Sequence, residues 1–73
     1  MNVKLISSTN ETIMYEFKDN IGNITNIVLG TRVSFKNNYK EFFTSIIIDY
    51  YIDNDLITLN TPYETYVFKI LDN

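Results

Sequence analysis

Apolar and polar residues alternate along much of this chain. Between residues 12 and 18, Ile13, Tyr15 and Phe17 fall on one face of an extended segment, and Thr12, Met14, Glu16 and Lys18 on the other. That is the period-two signature of a half-buried strand. Residues 3–7, 24–29, 32–36, 56–60 and 65–71 read as further strands, with Val33 and Phe35 sharing a face, as do Tyr66, Phe68 and Ile70. Turn formers separate them: Ser8-Thr9-Asn10-Glu11, Asp19-Asn20-Ile21-Gly22-Asn23 and Asp53-Asn54-Asp55. Thr61-Pro62 is another turn, since proline cannot donate to a ladder. Gly30-Thr31 is a candidate bend or bulge.

Residues 38–53 carry two patterns at once. Tyr39, Phe42, Phe43, Ile46, Ile47 and Tyr50 lie on one face of a helix, and Asn38 with Glu41 resembles a capping box. The residue types argue the other way, because Thr44-Ser45-Ile46-Ile47-Ile48 and Tyr50-Tyr51-Ile52 favour strands over helices. Extended, the segment places Phe42, Thr44, Ile46, Ile48, Tyr50 and Ile52 on one face, and Phe43, Ser45, Ile47, Asp49, Tyr51 and Asp53 on the other. The expected fold is all-β: one domain over residues 1–73, a small antiparallel meander of six or seven short strands, curled as a barrel or sandwich. The alternative is an α+β fold with one helix at about residues 38–53.

Composition narrows the chemistry. The 73 residues include eleven Ile and ten Asn but no Ala, Gln, Trp, Cys or His. Disulfides, thiolate zinc sites and imidazole ligands are therefore excluded, and no cofactor is expected. A chain this short holds a core worth only about 3–5 kcal/mol, so dense packing or oligomerisation, as a dimer, is the expected supplement. No apolar run reaches the length of a signal peptide or a membrane span, which makes the cytoplasm the expected location, with no membrane partner. Asn10-Glu11-Thr12 and Asn23-Ile24-Thr25 match the glycosylation sequon by chance in a chain rich in Asn and Thr. Ile, Asn, Lys and Tyr have AT-rich codons, which suits a low-GC bacterium, its phage or another mobile element, or an archaeal virus.

Charge is divided unevenly. The formal net charge is −3, yet residues 1–40 are net basic and residues 41–73 set Lys69 alone against Glu41, Asp49, Asp53, Asp55, Glu64 and Asp72. An acidic half disfavours nucleic acid and favours basic partners.

Familiar catalytic signatures are absent from the sequence. The serines have no evident base partner, Gly22 and Gly30 form no phosphate loop, and Asp49, Asp53 and Asp55 do not have calcium-loop spacing. No enzymatic activity is expected. Two binding surfaces remain. Arg32, Phe35, Lys36, Tyr39 and Lys40 interleave basic and aromatic residues, as in barrels that stack single-stranded nucleic acid. Phe43, Ile47, Asp49, Tyr51, Asp53 and Asp55 combine surplus apolar surface with negative charge, a pattern that marks contact sites. The second surface makes the leading expectation a protein–protein interaction module, in a concrete version a phage- or virus-type inhibitor of a host defence protein. Single-stranded nucleic-acid binding is the alternative.

Overall fold

A computed structural model describes residues 1–71; Asp72, one of the charges counted above, lies outside them. The elements are β1 (Asn2–Ser8), α1 (Glu11–Phe17), β2 (Ile21–Ile24), β3 (Arg32–Lys36), β4 (Glu41–Ile46), β5 (Asp49–Asp53), β6 (Leu56–Asn60) and β7 (Thr65–Ile70). The seven strands form one sheet, ordered β4-β3-β2-β1-β7-β6-β5, with every pair antiparallel. The all-β expectation holds as a curled sheet that does not close. The helix alternative over 38–53 gives way to two strands, because β-branched and aromatic residues there pair with β3 and β6.

Aromatic contacts measure the curl. Four strand spacings separate β4 from β7, about 19 Å in a flat sheet. Phe42 of β4 nevertheless stacks on Tyr66 of β7 with ring centroids 5.7 Å apart, and Phe35 of β3 lies 6.0 Å from Phe68 of β7. The sheet has rolled until its inner face touches itself. Val3, Leu5, Val33, Ile47, Ile57 and Leu59 fill the remaining interior. Room for Phe35 comes from Gly22: a Cβ there would stand 2.8 Å from the ring and 2.6 Å from the Lys36 carbonyl oxygen.

One expected strand is a helix. Residues 12–18 alternate, but Ile13 and Phe17 also stand four apart, which places both on one helical face. Asn10 decides the outcome as N-cap, its side-chain oxygen accepting from the Ile13 N–H at 3.1 Å. Phe17 plugs the end of the rolled sheet edge-on to Phe42 and Phe35, at 4.8 and 5.8 Å, and Tyr15 turns to solvent. The strand expected at 24–29 changes with it. β2 begins at Ile21, inside the expected turn, and ends at Ile24.

β4 carries a bulge. Arg32 pairs with Ile46 and Ser34 with Phe43, so Thr44 and Ser45 together oppose Val33. The Val33 N–H donates instead to Thr44 Oγ1 at 3.0 Å, and that buried hydroxyl donates to the Ser45 carbonyl at 2.7 Å. The extra residue inverts the side-chain alternation as far as Ile47. Past the bulge the chain crosses a corner. Ile47 exchanges hydrogen bonds with the backbone before β3, donating to Thr31 and accepting from Gly30, both at 2.9 Å. Ile48 donates to Asn60 of β6, also at 2.9 Å.

Glu64 ties α1 to β7. It accepts from the Asn10 side-chain amide and, at 2.7 Å, from the Tyr66 hydroxyl. Burial, that hydrogen bond and the adjacent negative charge raise the Tyr66 pKa well above its ordinary value.

Replacing Thr44 by Val should cost about 1–3 kcal/mol in urea unfolding, because the buried Val33 N–H loses its acceptor. Thr44→Ser should recover most of that loss, and equal losses in the two variants would refute the hydroxyl's role. The raised Tyr66 pKa sets an alkaline limit. The unfolded chain releases this phenolic proton near pH 10 while the folded chain retains it, so stability is full below about pH 10 and falls as pH rises above it. Tyr66→Phe should flatten that decline in a pH series of denaturation midpoints; an unchanged slope would assign it to other groups.

Candidate functional site

β5 is exposed at all five of its residues. Its pairing with β6 defines two faces. Tyr50 opposes Leu59 and Ile52 opposes Ile57, both core residues, so Tyr50 and Ile52 lie on the inner face. They extend that face past the packed interior as an uncovered apolar lip. Asp49, Tyr51 and Asp53 form the outer face, opposite Asn60, Thr58 and Leu56. The phenol of Tyr51 therefore stands between two carboxylates. Ile46 and Ile48, also exposed, extend the apolar surface around the corner.

Electrostatics set the character of this strand. Lys69 lies 3.8 Å from Asp55 in the β5–β6 turn, an exposed pair worth at most about 1 kcal/mol. It is the only ion pair among the described residues, so Asp49 and Asp53 have no ion-pair partner among them. The three aspartates do not converge: among the described residues no group of three or more carboxylates could hold a metal ion. No helix among them is long and apolar enough to cross a membrane.

Five of the six residues expected at an interface are exposed: Phe43, Asp49, Tyr51, Asp53 and Asp55. Ile47 is the correction, with 0% of its surface accessible. The bulge at Thr44-Ser45 shifts the alternation by one residue, and Ile47 turns inward to the core. Phe43 precedes the bulge and stays on the outside of β4, across the corner from β5. The expected interface leaves out Tyr50 and Ile52, which share the other face of the extended segment with Phe42. Their signal was a run apolar on both faces, which one sheet of this size cannot cover on both sides.

The basic–aromatic stretch does not assemble as a stacking platform. Phe35 is fully buried in the aromatic core. Lys40 is occupied, donating to the Glu16 carbonyl at 2.8 Å with its ammonium 5.3 Å above the Phe17 ring, where it fastens the end of α1. Arg32 and Lys36 lie exposed on β3, and Tyr39 is exposed in the β3–β4 turn, beyond the strand that carries them. A single free aromatic remains of the expected pair.

No protein-family model, no curated protein and no solved structure matches the chain.

The two residues once grouped together should now separate. Ile47→Ala should destabilise the fold by about 2–5 kcal/mol through an internal cavity. Tyr51→Ala should change stability by no more than about 0.5 kcal/mol. Urea unfolding of both variants checks this, and comparable losses would contradict the burial of one and the exposure of the other.

Proposed function

We propose that this chain is a non-enzymatic protein–protein interaction module that binds its partner through β5 and the adjoining corner. One observation carries the reading: a whole edge strand, bearing two tyrosines and an isoleucine, is left in water, with Ile46 and Ile48 exposed at the corner beside it. Fully burying an apolar side chain contributes about 1.5–3 kcal/mol, and covering the roughly half of Tyr50, Tyr51 and Ile52 that is exposed adds a corresponding fraction of that for each. Tyrosine is enriched among residues that dominate interfaces, and the flanking carboxylates favour a basic surface over an acidic one. An inhibitor occupying the basic groove of a nucleic-acid-handling host protein would use such a surface. A viral or mobile origin is the version of that proposal suited to the AT-rich residue usage.

Affinity capture from a low-GC bacterial lysate tests the reading. The wild-type chain should retain a protein that Tyr51→Asp does not, with both chains giving the same circular dichroism spectrum. Light scattering separates the case in which a second copy is the partner. A chain that stays monomeric and retains nothing beyond what Tyr51→Asp retains would overturn the proposal.

A further inference from the structure

The open side of β5 has a definite origin. On that side Ile47 is the last residue bonded to the backbone preceding β3. Just upstream, the Thr31 N–H and hydroxyl both donate to the Val28 carbonyl, at 3.1 and 2.8 Å, and Gly30 adopts a φ of 85°. This turn folds the preceding chain off the sheet. From Asp49 to Asp53 only the β6 side of β5 is occupied, because β5 ends the strand order. Natural edges are commonly blunted by Pro, Lys or a bulge. β5 contains no Pro, Lys or bulge, and its register with β6 is regular over all five residues; the charges of Asp49 and Asp53 are the protection it carries.

We propose that this edge receives an extended segment of a basic partner as an eighth strand. The inference rests on the interaction reading above and specifies its mode. An added strand alternates its side chains between the two faces, as β5 does. Apolar residues of the incoming segment would then lie beside Tyr50 and Ile52, and basic residues beside Asp49 and Asp53. A second copy fits less well. Antiparallel self-pairing centred on Tyr51, the register that uses the whole strand, sets Asp49 against Asp53 of the other copy at both ends of one face. Like charges directly opposite in a sheet repel, and opposite charges attract.

The test uses the intact chain and three synthetic peptides in a residue-resolved NMR titration at low salt. The first peptide alternates Lys and Val. The second has the same sequence, with N-methyl groups on the amides that would face β5. The third alternates Glu and Val. The Lys–Val peptide should shift the β5 amides and slow their hydrogen exchange, while the N-methylated and Glu–Val peptides should leave them unchanged. The double variant Asp49→Asn, Asp53→Asn should weaken Lys–Val binding by about five- to tenfold. Undiminished binding of the N-methylated peptide would overturn the proposal, since it would show charge contact without backbone pairing. Absence of Lys–Val binding would also overturn it. If partner capture still depended on Tyr51 in that case, the interaction reading would stand and only the strand-addition mode would fall. A doubled mass with protected β5 amides in the free protein would assign the edge to a second copy instead.

Discussion

Residues 41–53 must supply both ends of one sheet. β4 and β5 are its first and last strands, and only Ile47 and Ile48 lie between them. Laid flat, seven strands would set these edges about 29 Å apart. Three Cα steps, from Ile46 to Asp49, reach about 11 Å at most. The connection can form only if the sheet rolls until its two ends meet at that corner. Much else follows from the roll. It brings Phe42 over Tyr66 and Phe35 over Phe68, and so forms the aromatic core. It leaves one end for Phe17 to plug. It also requires the chain to change sides between consecutive residues, Ile47 bonding toward β3 and Ile48 toward β6.

The corner also accounts for the incompleteness of the roll. A closed barrel has no edges. Here the chain bends through the Val28–Thr31 turn before it can line the far side of β5, and closure stops two residues short of that strand. Tyr50 and Ile52 are placed as core residues of a barrel whose last seam is missing. An open apolar edge is an aggregation hazard. Asp49 and Asp53 limit it by charge, discouraging the self-pairing that uses the whole strand without filling the edge. The same two charges that oppose a second copy would attract a basic segment, so in the proposed mode both protection against self-pairing and the choice of partner fall to the same side chains.

The sequence carried these features unequally. β6 and β7 were readable because Leu56–Asn60 and Thr65–Ile70 are bounded by turns that need no distant information, one at Asn54 with its positive φ and one at Pro62. Helix α1 was hidden because Ile13 and Phe17 satisfy both periods, two and about four, and only Tyr15, exposed in the helix but inward in a strand, tells them apart. The decision rests on the Asn10 cap and on the hole in the rolled sheet that Phe17 fills, and the second is a tertiary fact. The bulge was harder still. Its cause is a hydrogen bond between Thr44 and a residue eleven positions away, and nothing local to Thr44-Ser45 announces it.

That single inserted residue places Ile47. Without it, Ile47 would fall outside with Phe43 and Ser45, and the corner would lose its buried anchor. With it, Ile47 joins the core and pins the corner. The alternation shifts a second time there, so that β5 turns Tyr50 and Ile52 inward and leaves one tyrosine between two carboxylates outside. A strand with apolar and charged positions on opposite faces imposes a register on whatever pairs with it. The register inferred for an incoming segment thus depends on two shifts, the bulge at Thr44-Ser45 and the corner at Ile47-Ile48, which together restore on β5 the parity set by Phe42.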